Sequence, residues 1–257
     1  MPDAFYVPDG DAFVSTEWTR GPWDPRAQHA GPPAALVGRA IEALEPRGFQ
    51  VARFTMEILK PIPIARLRVE VTPVRTGRRV QYVQASLTSD GTEVARASSW
   101  RIRTSGEPMP ETPVERPQFA GPDASQEITP DTDAGPSYFS AMEWRYARGS
   151  WTERGPASVW MRMRVPLVEG ESIAPLSRVL SAADSGNGVS AVLDFRTHLF
   201  INTELTVHLM RMPEREWVCI DAKTRQDAKG IGIAQSVIWD EQHRLGAGAQ
   251  ALLIGPR

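Results

Sequence analysis

The chain spells one series of elements twice. An apolar helix candidate, PPAALVGRAIEAL, is followed by the strand-like segments FTMEILKPI, ARLRVEVTPVR, RVQYVQASLTSDG and TEVARASSWRIR. Further on, IAPLSRVLSAAD is followed by LTVHLMRMP, EWVCIDAKTR, GIGIAQSVIWDE and RLGAGAQALLIG. The last strands align without a gap at an offset of 150, which sets Ser86 on Ser236, Asp90 on Asp240, Ala97 on Ala247 and Trp100 on Gln250. Thr55 and Thr206 need 151. Matched order, length and turn position point to duplication, and 257 residues are enough for two units with a core each.

Alternation identifies the strands. Phe54, Met56 and Ile58 point one way and Thr55, Glu57 and Leu59 the other, and Leu67, Val69 and Val71 repeat the pattern. Asp90-Gly91 between two such runs marks a hairpin, because glycine tolerates the positive φ of a tight turn. Pro32 and Pro33 open the first helix, where a missing donor costs nothing, and Leu36, Ala40, Ile41 and Leu44 form its stripe. Ile173, Leu176, Val179, Leu180 and Ala183 form the second stripe, with Gly186 as its expected stop. One helix and four long strands per unit imply an α+β fold in which a curved antiparallel sheet wraps the helix. Between the units, residues 105–136 are rich in proline, acidic and small polar residues, so the expected division is a first unit at 1–104, a linker at 105–136 and a second unit at 137–257.

Several functions are disfavoured. A net charge of −2 supplies no basic field for nucleic acid, and the eight tryptophans are not grouped as a base-stacking platform. No run approaches the length of a membrane span. The opening MPDAFYVPDGDAF lacks the basic and apolar parts of a secretory signal, so a cytoplasmic location is expected. Cys219, the only cysteine, sits in the apolar run WVCI and reads as a buried, inert thiol. No histidine or cysteine pair has metal-ligand spacing, and neither a metal nor a cofactor is expected.

A helix wrapped by an antiparallel sheet, present twice, resembles the double hotdog architecture. Within it the chain is similar to acyl-CoA thioesterase II-like proteins, through HAGPPAAL at the first helix, VWMRMR at Val159–Arg164, Ala183-Asp184 at the second helix end and Gln250 on the final strand. The resemblance implies hydrolysis of an acyl-CoA by a water held jointly by an Asp, a Thr and a Gln. Asp184 matches the first, Thr203, ten residues before Pro213, the second, and Gln250 the third; Asn202 and Thr206 are alternatives to Thr203. Asp184 would take the water's proton while the other two orient it. Backbone N–H groups at the first helix, those of Gly31, Ala34 or Ala35, would meet the oxyanion. Arg75, Arg78 and Arg79 could pair with coenzyme A phosphates, or serve only as a solvated hairpin. Trp100 at the place of Gln250 implies one site per chain, and His29 is a possible ligand or acid. Two other readings are an acyl-thioester binding protein without turnover and a hydratase or dehydratase that would use Asp24 and His29. Free sheet edges suggest a homo-oligomer.

Overall fold

A computed structural model describes residues 3–128, 130 and 135–257. In the first half β1 (Tyr6–Asp9) and β2 (Ala12–Ser15) precede α1 (Gly31–Glu42), which is followed by β3 (Phe49–Ile58), β4 (Arg66–Thr76), β5 (Val80–Ser89) and β6 (Thr92–Arg103). The second half runs through β7 (Gln126–Glu127), the single turn α2 (Tyr138–Ala141), β8 (Met142–Arg148), β9 (Ala157–Met163), α3 (Pro175–Ala183) and α4 (Gly186–Val189). It ends with β10 (His198–Asn202), β11 (Glu204–Leu209), β12 (Val218–Gln226), β13 (Ile231–Trp239) and β14 (Arg244–Pro256).

Two separate sheets were expected; the described residues form one. Its order is β1-β2-β4-β5-β6-β3-β11-β14-β13-β12-β9-β8-β7, with β10 also on β14, and every neighbouring pair is antiparallel. The halves join edge to edge at β3 and β11, which removes one exposed edge from each. At that seam Thr206 lies opposite Thr55, and the Thr206 hydroxyl donates to Thr55 Oγ1 at 3.1 Å.

The strand registers correct the alignment of the repeat. Thr55 pairs with Ser98 as Thr206 pairs with Ala249, Gln84 with Ser98 as Gln235 with Ala249, and Thr72 with Gln84 as Lys223 with Gln235. Equivalent positions in these paired strands are therefore 151 residues apart, the separation of Thr55 from Thr206. Since a slip of one residue exchanges the two faces of a strand, the counterpart of Gln250 is the buried Ser99. Trp100 lies on the other face, its ring tilted at 40° against Tyr82.

Inside the sheet α1 packs against α3. Leu36, Val37, Ile41, Leu176, Val179 and Leu180 are buried between them and the strands, each contributing roughly 1.5–3 kcal/mol. The helices approach closely enough that side chains are excluded at two places. A Cβ on Gly38 would collide with Leu180 Cδ1, and one on Gly31 would collide with the Ser181 carbonyl oxygen. The second contact brings the start of α1 against the end of α3, where the candidate site lies. At the other end of the helix pair, the Arg39 guanidinium grips Glu171, with Nε to Oε2 at 2.7 Å.

Residues 104–121 contain no helix or strand. The stretch lies against the second half: Trp160 Nε1 donates to Ala120 O, Phe119 packs on Trp160 and Trp239, and Arg244 pairs with Glu115 at 3.0 Å. Positions 129 and 131–134 of the expected linker lie outside the described residues. Cys219 is buried, and burial pushes its thiol well above the ordinary range. No described helix is long and apolar enough to cross a membrane.

Candidate active site

Asp184 caps the C-terminus of α3 and is 3% exposed. A buried carboxylate needs donors, and the fold brings two amides to it from different strands. Asn202, the last residue of β10, donates through Nδ2 to Asp184 Oδ1 at 2.8 Å. Gln250, in the middle of β14, donates through Nε2 to the Asp184 backbone oxygen at 3.0 Å and to Oδ1 at 3.3 Å. The Asn187 N–H donates to Gln250 Oε1 at 3.0 Å, which fixes the Gln250 amide in this orientation. Asn187 Nδ2 in turn donates to Phe200 O, tying α4 to β10.

Gly186 does not end the helix as expected. It begins α4, has no positive φ, and a Cβ there would come within 3.0 Å of Gln250 Oε1. This glycine makes room for the amide rather than terminating the turn.

Thr203 is exposed and does not join the group. Its N–H and hydroxyl both lie against Ala251 O, at 3.0 and 3.4 Å. Burial shows why its neighbour takes that place: Phe200 and Asn202 face inward, and then the parity changes so that Leu205, Val207 and Leu209 do. The irregularity falls on Thr203, and its counterpart in the first half is the register shift between Val51 and Arg53. Thr206 sits at the seam, its hydroxyl 3.1 Å from Thr55 Oγ1 and 2.9 Å from Glu204 Oε2.

From the first half, His29 Nδ1 stands 3.0 Å from Asp184 Oδ2. The ring stacks on Tyr138 at 3.7 Å between centroids and 11° between planes. The Tyr138 hydroxyl donates to Ser181 O at 2.6 Å and lies 2.9 Å from Ser185 Oγ. Burial holds that hydroxyl well above its ordinary pKa; the Ser185 bond opposes the shift and the Asp184 charge reinforces it, so it stays protonated. The contact of His29 with Asp184 links residues 155 positions apart, and the sequence offers only the local spacing of His29 and Gly31 as a hint.

The expected oxyanion donors are committed elsewhere. Gly31 N–H donates to His29 Nδ1 at 3.1 Å, and Ala34 N–H donates to Ala30 O at 2.9 Å. Arg75, Arg78 and Arg79 are exposed at the β4–β5 turn. That turn is tied to the C-terminal side of α1, since Arg103 N–H donates to Arg79 O and Thr104 N–H to Gly48 O. It thus lies a helix length, about 18 Å for twelve residues, from the His29 end.

The equivalent point of the first half has no comparable chemistry. Ala43 caps α1 where Asp184 caps α3, and Val51 and Ser99 stand where Asn202 and Gln250 do. Arg101 fills this place, donating to Gln81 Oε1 and Leu44 O. The group around Asp184 can hold and deprotonate a small nucleophile such as water, and its Asp, Asn and Gln come from the second half alone.

Residues 19–102 match the model of the acyl-CoA thioesterase N-terminal domain, and residues 110–254 match that of the C-terminal domain. Among solved structures, a protein of unknown function with a hot dog fold from Alicyclobacillus acidocaldarius superposes with a TM-score of 0.78 at 18% identity, covering 98% of this chain and 97% of its own. A candidate thioesterase from Novosphingobium aromaticivorans gives 0.74 at 20% identity over 97% and 98% of the two chains. An acyl-CoA thioesterase II from Mycobacterium marinum gives 0.69 at 13% identity over 97% and 93%. These likenesses establish the hotdog fold. No curated protein matches the sequence. With both domain models matched in order along a hotdog fold, the chain belongs to the acyl-CoA thioesterase family.

Proposed function

We propose that the chain is a double hotdog enzyme that hydrolyses an acyl-CoA to the free acid and coenzyme A, using a water activated by Asp184 and oriented by Gln250 and Asn202. The observation that carries this reading is the buried Asp184 carboxylate, held through Oδ1 by Asn202 and Gln250. A thioester carbonyl is electrophilic enough for direct attack by a positioned water, and positioning removes much of the barrier. Asp184 takes one proton from the water as its oxygen bonds to the carbonyl carbon; collapse breaks the C–S bond, and the sulfur receives the proton. Asn202 replaces Thr203 in the orienting role because it is the residue on the inward face.

In this reading Arg75, Arg78 and Arg79 remain the partners of the coenzyme A phosphates, which requires the coenzyme to lie extended along α1. The division at residues 104 and 136 stays the proposed boundary of the two units. Association of copies is proposed at the sheet ends, and sedimentation at two protein concentrations tests it.

The deciding experiment is release of free thiol from acyl-CoAs of short, medium and long chain by wild type and by Asp184→Asn. Turnover by wild type and its loss in the folded variant support hydrolysis. Binding of acyl-CoA without turnover at any length selects a non-catalytic binding protein, and loss of enoyl absorbance without thiol release selects a hydratase.

A further inference from the structure

Hydrolysis by a water on Asp184 leaves two things unexplained: no free backbone donor has been found for the oxyanion, and His29 has no task. The hydrogen bonding of His29 answers both. Its Nδ1 accepts the Gly31 N–H, one of the unpaired donors of the first turn of α1, where Pro32 and Pro33 have none. With Gly31 as donor, Nδ1 carries no hydrogen and the proton of the neutral ring is on Nε2; an Nδ1–H donating to Asp184 Oδ2 at 3.0 Å is the opposite tautomer, which the variants below distinguish. Among the described residues nothing accepts from Nε2. Nor is it one of the buried polar atoms left without a partner, so it meets solvent; 11% of the side chain is exposed.

The ring is also held in place. Tyr138 covers one face, Phe139 approaches it edge-on at 6.2 Å, and Tyr138 is itself fixed by Ser181 and Ser185. With the ring proton on Nε2, the site contains an N–H donor that has no acceptor among the described residues and lies one ring width from the contact with Asp184 Oδ2.

We propose that His29 is a catalytic residue of the hydrolysis, its neutral Nε2–H donating to the thioester carbonyl oxygen as that oxygen becomes an oxyanion. This rests on the water-on-Asp184 reading. As the water oxygen bonds to carbon, the carbonyl electron pair moves onto oxygen and is received by the Nε2–H. The water's proton goes to Asp184 Oδ2, where it faces Nδ1, so a contact between two acceptors becomes an O–H···N hydrogen bond sharing Nδ1 with Gly31. When the pair returns and the C–S bond breaks, the sulfur leaves with the bonding electrons and takes this proton, and His29 ends in its starting tautomer. The acceptor that fixes the tautomer is therefore also next to the base. The site is composite: the first half supplies the electrophilic donor and the second half the base.

Two substitutions separate the ring nitrogens. Asn at position 29 carries an amide oxygen near Nδ1 and keeps the Gly31 cap, whereas Gln carries an amide N–H near Nε2 and loses the cap. We expect His29→Asn to lower kcat about 10²- to 10³-fold, the cost of one oxyanion donor, with KM and Tm near wild type. His29→Gln should retain kcat within about tenfold while its Tm falls. Wild-type kcat in His29→Asn would make the residue a cap alone and overturn the proposal. Equal loss in both variants, with both folded, would mean a role that only an imidazole can fill, such as a base, and also overturns it. If wild type itself releases no thiol from any acyl-CoA, the hydrolysis reading fails and this role with it; activity in wild type with an indifferent His29→Asn removes only the role of His29.

Discussion

Asp184→Asn should abolish turnover without weakening the fold. In the substituted side chain the remaining oxygen keeps the bonds from Asn202 Nδ2 and Gln250 Nε2, which in Asp184 are 2.8 and 3.3 Å long. The new amide nitrogen takes the place of Oδ2, 3.0 Å from His29 Nδ1, where it can donate. A contact between two acceptors is exchanged for a hydrogen bond worth about 1 kcal/mol, and a charge that is 3% exposed disappears. For a chain of this size that gain corresponds to a Tm unchanged or higher by about 2–4 °C. Asp184→Ala, by contrast, removes the acceptor of the Asn202 amide and opens a small cavity, costing about 1–3 kcal/mol. Loss of the base should lower kcat about 10²- to 10⁴-fold in both variants. Thermal melts combined with a colorimetric thiol assay read the two effects separately. An Asn variant less stable than the Ala variant would refute Nδ1 as an acceptor. An Asn variant within tenfold of wild-type kcat would refute Asp184 as the base.

Asn202→Ala should lower kcat at least tenfold, whereas Thr203→Ala should leave it within twofold, and steady-state kinetics on the two purified variants decides which residue orients the water. Gly38→Val places methyls against Leu180 and Leu176 and should cost about 1–3 kcal/mol in a denaturant titration, as overpacking does. The double variant Arg78→Glu, Arg79→Glu should raise KM for acyl-CoA and leave kcat unchanged; an unaltered KM removes these arginines from the coenzyme site. Burial holds the Glu42 carboxyl above its ordinary range, with Arg101 opposing the shift. The native state thus binds more protons than the unfolded chain between the two pKa values, and stability falls as pH rises through that window. Glu42→Gln should therefore raise Tm at neutral pH and leave it unchanged at about pH 3, where the carboxyl is protonated in both states.

The repeated elements could be read from the sequence because alternation and helical stripes are local properties. Every strand segment of the two runs is a strand in the structure, and the first helix opens at Pro32 and Pro33 as expected; the second begins at Pro175, so Ile173 of its expected stripe lies before it, as Leu44 lies past the end of the first. Register is not local. The likeness of Ser86 to Ser236 and Asp90 to Asp240 favours an offset of 150, but pairing across the sheet sets 151, and the single residue moves Trp100 off the equivalent of Gln250. The same problem separates Thr203 from Asn202. Counting back from Leu205 by alternation puts Thr203 inward, and only the irregularity between β10 and β11 turns Asn202 to Asp184. Gln250 stands out as a polar residue in an otherwise small and apolar run, which demands a partner when buried; Asp184, at a helix end where an aspartate is ordinarily solvated, is singled out only by the resemblance of Ala183-Asp184 to the family pattern. His29 is less legible: its partner lies in the other half, and the contacts of its Nδ1 with Gly31 and Asp184 are a matter of geometry.

A single turnover in water enriched in ¹⁸O, with enzyme in excess over acyl-CoA, tests direct attack by water most directly. If Asp184 acts as a base, the released acid carries one ¹⁸O after the first turnover and the peptide containing Asp184 gains none. Label in that peptide, with an unlabelled acid, would show the carboxylate itself attacking the thioester and would contradict the mechanism.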